Sequence, residues 1–166
     1  MTISMYHASI PQFKKMLTNL SELLKVAEAF ITDKKVPEKV LLGSRIYIDM
    51  FDLTKQVQVA CDQAKNGMAR LAGVEPPKMD DSESSIADLH ARIATTIHFL
   101  DTLSKEAVDA SASKAIQFSI RDHHFEFIGD QYLITWILPN FYFHITTAYN
   151  ILRHNGIAIG KRDFIG

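Results

Sequence analysis

Apolar residues return at helical spacing in four long stretches of the chain and at strand spacing in one. From Ser9 to Thr32, Phe13, Leu17, Leu20, Leu24, Ala27 and Ile31 make a single stripe. Lys14, Lys15, Glu22, Lys25 and Glu28 fall mostly off it. Ser9-Ile10-Pro11-Gln12 has the form of a capping box with proline in the first turn. The preceding MTISMYHA reads equally as an arm or as an earlier turn of the same helix. A second stripe runs from Asp49 to Ala72 through Met50, Leu53, Val57, Ala60, Ala64, Met68 and Leu71, with Gly73 where a C-cap is wanted. A third helix starts at Ser84 or Ser85 and ends near Ser104. It faces inward with Ile86, Leu89, Ile93, Ile97 and Leu100, and Asp88 suits the dipole of its first turn.

Then the period changes to two. Ile116, Phe118 and Ile120 alternate with Gln117 and Ser119, and Phe125 and Phe127 flank Glu126, with RDHH as the turn. Gly129-Asp130 opens a last helix that runs to about His154 and is closed by Asn155-Gly156. TDKKVPEKVLLGS and EPPKMDDSESS are connectors, the first with room for a short helical turn over Pro37 to Leu41. The tail IAIGKRDFIG carries apolar anchors at Ile157, Ile159, Phe164 and Ile165, so it should pack on the body. The pattern predicts an all-α protein: an up-down four-helix bundle with a small β-hairpin between helices 3 and 4. With 166 residues, it should form one domain spanning 1–166.

Composition narrows the function. The chain is 47% hydrophobic, with a formal net charge of −1. Acidic and basic residues are dispersed, which removes the basic face that nucleic acid would need. A lone cysteine, Cys61, allows no internal disulfide and fits a reducing, cytoplasmic setting. The N-terminal residues do not read as a secretory signal. Tyr132 to Tyr149 lacks formal charges, yet its Pro139, Asn140, His144 and threonines suit a buried helix better than a membrane span.

The candidate chemistry lies on the last helix. Pro139 should kink it and release backbone groups. Asn140 and His144 are four residues apart and share a face, with Thr147 further along and Tyr142 beside them. They could begin a metal site, which usually needs a third protein ligand. Asp49 and Asp52, at the start of the second helix, are the candidates. Asp49 borders the apolar stripe, whereas Asp52 lies with Gln56 and Gln63 on a more polar face. The competing reading has Asn140 and His144 bonded to backbone freed by Pro139, and Asp49 as a helix N-terminal carboxylate or a partner for Arg45. His154 suits the helix C-terminus, His123 and His124 a solvated hairpin tip, and Cys61 a buried structural thiol. No glycine-rich phosphate loop, CxxC, HExxH or serine-hydrolase motif is present.

MYHASIPQF, RIYIDMFDLTKQVQVACDQAKNGMARLAGVE and LPNFYFHITTAYNILRHNGIAIGKRDFIG together resemble a bacterial domain-of-unknown-function family, the one numbered nineteen ninety-three. That family is similar to the DinB/YfiT-like superfamily of four-helix bundles. The resemblance implies a divalent-metal site built from one histidine on the second helix and a His-x-x-x-His pair on the fourth, thiol-dependent transfer or isomerisation in some members, and a homodimer. Here Asn140-Phe141-Tyr142-Phe143-His144 stands at the pair, and Asp49 roughly where the second-helix histidine would fall. The implied metal ligands are therefore Asp49, Asn140 and His144, with Tyr142 and Thr147 lining the pocket. The implied ion is zinc, nickel or manganese, with a metal-free polar site as the alternative. From another class comes a non-enzymatic helical dimer that binds a small apolar ligand or a protein partner.

Overall fold

A computed structural model describes residues 3–166. The chain is mostly helical, with one two-stranded antiparallel sheet. In order, the elements are α1 (Met5–Lys34), α2 (Glu38–Leu42), α3 (Leu53–Ala72), α4 (Ile86–Thr102), α5 (Lys105–Asp109), β1 (Ala115–Ile120), β2 (His123–Ile128), α6 (Gly129–Gln131), a π-helical stretch (Tyr132–Ile137), α7 (Leu138–His154) and α8 (Lys161–Ile165). Helices α1 and α4, α4 and α3, α3 and α7, and α7 and α1 pack against one another. Their stripes close over a core that includes Phe13, Leu17, Leu24, Val57, Met68, Leu89, Phe141 and Ile145, all essentially sealed from solvent. Burying each such side chain contributes about 1.5–3 kcal/mol.

The helix ends refine the sequence reading. Helix α1 begins four residues before Ser9, and its N-cap is Ser4, whose side chain accepts the His7 N–H. So MYHA is an earlier turn of α1. Ser9 is buried inside the helix, its hydroxyl donating to Met5 O at 2.6 Å, and no capping box forms there. Met1 and Thr2 lie outside the described residues. Helix α3 begins at Leu53, not at Asp49, because Asp52 takes the N-cap and accepts the Lys55 N–H at 2.9 Å. Gly73 closes α3 in the left-handed region, at φ 74°. Ser85 and Asp88 form a reciprocal capping box on α4.

Residues 115–128 form the expected hairpin, in the register Phe118↔Phe125 and Ile120↔His123. The turn is only Arg121-Asp122, with Arg121 at φ 53°, so His123 and His124 belong to β2 rather than to the tip. Phe118, Phe125 and Phe127 meet Trp136 with ring centroids 4.7–5.8 Å apart. The guanidinium of Arg70 lies 4.6 Å from the Phe118 ring and donates to the Tyr132 hydroxyl at 3.1 Å. The last helical run is continuous from Gly129 to His154, but the Pro139 region is accommodated by the π-helical stretch just before it. The tail packs back as expected: Asn19 Nδ2 donates to Phe164 O at 3.0 Å, and the Phe164 ring lies edge-on to Tyr149. Among the described residues, no helix is long and apolar enough to cross a membrane.

Candidate functional site

The N-terminal turn of α3 and the middle of α7 place two polar side chains together in the interior. Gln56 stands one turn past the Asp52 cap, on the stripe that continues through Leu53 and Ala60, and is 1% exposed. Its Nε2 donates to Phe51 O at 3.1 Å. Its Oε1 is then left to accept, and it lies 2.7 Å from His144 Nδ1. This arrangement puts the imidazole proton on Nδ1. His144 is 8% exposed, and burial pushes its pKa down to about 4. The ring is therefore neutral at physiological pH, with its lone pair on Nε2. Among the described residues Nε2 has no hydrogen-bond partner, yet it is not among the atoms sealed from solvent. Phe51 stacks beside the imidazole at 6.4 Å and 25°, and Phe143 meets it edge-on at 5.2 Å.

Of the other expected site residues, Asn140 and Thr147 bond within their own helix and Asp49 lies before α3. Asn140 is half-buried, and its Nδ2 donates to Trp136 O at 2.7 Å, within its own helix. That is the backbone-satisfying role open to a polar residue near Pro139, whereas His144 bonds across to α3. Asp49 is exposed in the turn before α3 rather than on the helix facing inward. Arg45 pairs with Asp52, at 3.4 Å, not with Asp49. Thr147 is buried and returns its hydroxyl to Phe143 O at 2.7 Å. Tyr142 is half-buried, edge-on to Phe141, and burial raises its pKa. The sequence pattern groups Gln56 with Asp52 on a polar face and so does not mark it as a partner of His144. Its i+3 spacing from Leu53 and i−4 spacing from Ala60 was the available signal.

Beside this pair opens a cleft of about 570 Å³, walled by α2, the turn before α3, the start of α3 and Asp81, Glu83 and Ser84 of the strap that joins α3 to α4 over residues 74–85. Phe51 lines the cleft and also flanks His144. The resemblance implies a divalent metal held by three protein ligands. One imidazole nitrogen is available; Asn140 commits its Nδ2 to Trp136 O, which leaves its amide oxygen, and Asp49 is exposed in the turn before α3. Among the described residues, no three His, Cys, Asp or Glu side chains gather as a metal site. With Asp49 in the exposed turn, His144 and the Asn140 oxygen supply two of the three protein ligands that such a centre usually has.

The chain is thus a mostly helical protein with a short hairpin before its last long helix and an imidazole held where α3 meets α7. The family model for the domain of unknown function DUF1993 matches residues 5–165, and the chain belongs to that family. It is also similar to a DinB family member protein from Shewanella denitrificans, known from its crystal structure. That match has 46% sequence identity and a TM-score of 0.88, and it covers 97% of this chain and 91% of that one. No functionally curated protein matches the chain.

Proposed function

We propose that this DinB family protein is an up-down four-helix bundle, a single domain over 1–166, with a degenerate polar site whose working atom is His144 Nε2. The Phe51 carbonyl–Gln56–His144 relay carries this reading. A buried glutamine that spends its amide on backbone and its carbonyl on an imidazole fixes the tautomer and aims the second nitrogen. The chemistry supported is transfer or isomerisation with His144 as proton acceptor. Metal-assisted transfer or isomerisation, with Asp49, Asn140 and His144 as the ligands, is the alternative that metal loading tests.

The test is ¹⁵N NMR of the histidine rings in the wild type and in Gln56→Ala, with metal content measured after loading with manganese, nickel and zinc. The expected result is a neutral His144 carrying its proton on Nδ1, titrating near pH 4, and losing that single tautomer in Gln56→Ala. A mixed tautomer in the wild type would sink the reading. Stoichiometric metal lost in His144→Ala would replace it with a metal-assisted one.

One observation favours a second reading, the non-enzymatic homodimer or partner-binding protein. Ile46, Tyr47, Ile48 and Phe51 are 42%, 67%, 82% and 50% exposed within one turn. Under that reading His144→Ala changes stability alone, and a concentration-dependent mass shift abolished by Ile48→Asp would identify the turn as the interface.

A further inference from the structure

The carboxylates and cations lining the cleft beside Phe51 are unequally engaged. Asp52 accepts the Lys55 N–H and meets Arg45. Asp81 pairs with Lys55 at 2.5 Å and with Arg92 at 3.2 Å. Glu83 is held by Arg92 and by Gln58, each at 2.7 Å. Every acid on the cleft wall is thus occupied. The cations are less so. Lys39 makes no ion pair or side-chain hydrogen bond among the described residues, and the two bonds of Arg45, to Met50 O and Asp52, are both long at 3.4 Å. The unspent bonding capacity of the wall is positive, and it sits in a space large enough for a small metabolite.

We infer that this cleft binds a small organic anion, its charged oxygens held by Lys39 and Arg45 and its body against the Phe51 ring. The inference deepens the His144 reading by naming its ligand class, and it rests on that reading for its consequence. An anion brought past Phe51 adds negative charge near the imidazole, which favours the protonated ring and raises its basicity towards working pH. The low basicity of the buried ring is then no obstacle to proton transfer, because the ligand itself would tune the base. Carboxylate and phosphate share the required chemistry.

The experiment is an NMR titration of the ¹⁵N-labelled full chain at low ionic strength, with acetate, inorganic phosphate and uncharged acetamide as probes. Backbone amides and histidine rings are followed together. Saturable shifts around Lys39, Arg45 and Phe51 are expected with at least one anion and not with acetamide. The tighter anion identifies the carboxylate or the phosphate source. Lys39→Gln/Arg45→Gln, at two exposed positions, should weaken binding about tenfold. Equal binding of acetamide, unchanged affinity in the double variant, or no saturation by either anion would overturn the inference. The His144 ring separates the two proposals. Anion binding that depends on Lys39 and Arg45 but leaves the His144 titration near pH 4 would keep the cleft and remove the proton-acceptor role. An anion that shifts His144 equally in the wild type and the double variant would do the reverse.

Discussion

His144 is where burial and chemistry meet. Its pKa of about 4 in the fold lies below the ordinary 6.5, because a buried ring resists charge. Between those values the unfolded chain binds a proton that the folded chain does not. Stability therefore rises with pH from 4 to 6.5, and the contribution is fully present above 6.5. The span corresponds to a contribution on the order of 3 kcal/mol. Urea unfolding at pH 7 and pH 4.5 should show a smaller pH-dependent loss in His144→Leu than in the wild type, and an identical loss would refute the assignment. Gln56→Ala leaves the imidazole N–H unpaired in the interior and should cost about 1–3 kcal/mol. A double-mutant cycle with His144→Ala should recover part of that cost, since the cost is that of an orphaned partner. Cys61 follows the bland expectation: it is fully buried, and burial pushes its thiol up to about 12.

At the level of elements, the junction between hairpin and last helix is the tightest point. A Cβ on Gly129 would lie 1.9 Å from Ser111 O, and the Asp130 N–H donates to Ala112 O at 3.0 Å in the same crossing. Gly129→Ala cannot be absorbed by a side-chain rotation because the obstacle is backbone. It should destabilise by about 3 kcal/mol and detach the hairpin, which would appear as a change in Trp136 fluorescence. Gly67 allows a similar approach on α3, where an added Cβ would meet the Ile137 side chain at 2.8 Å. Proline at 139 predicted a disturbance, but its form was set by packing. The π-helical stretch keeps Tyr132, Leu133 and Ile137 buried while the helix runs on through the proline.

Across the whole molecule, Arg92 ties the long connector to the helices. Its side chain is 2% exposed and meets Asp62 on α3 at 2.9 Å, and Asp81 and Glu83 of the strap at 3.2 and 2.7 Å. Its Nε is buried and, among the described residues, without a partner. Arg92→Met removes the shared counter-charge, but Asp62 and Asp81 still reach water. The expected loss is therefore about 3 kcal/mol, at the lower end for a broken buried ion pair. The strap over residues 74–85 should also become the first site of limited proteolysis. Cleavage elsewhere, with the strap intact, would show that other contacts hold it. The same strap walls the proposed anion cleft, so Arg92→Met should weaken acetate or phosphate binding as well.

The long helices, the hairpin and the packed tail were legible in the chain because apolar periodicity and capping chemistry act locally. Ser85 with Asp88, Gly73, and the alternation over 115–128 each report only on their neighbours. Family membership was legible too, in the segments around Arg45–Glu75 and Leu138–Gly166. The site was legible in part. His144 stood out as a polar residue on an apolar face, but its partner did not, because Gln56 lies 88 positions away and gains meaning only when α3 packs on α7. Asp49 would face inward only on a helix that begins there; with Asp52 as the cap, Asp49 belongs to an exposed turn. Asn140 likewise satisfies its own helix. Local pattern determines which faces are buried. Only the assembled fold decides which polar atoms meet, because that depends on the helix ends and the crossing of elements distant in the chain.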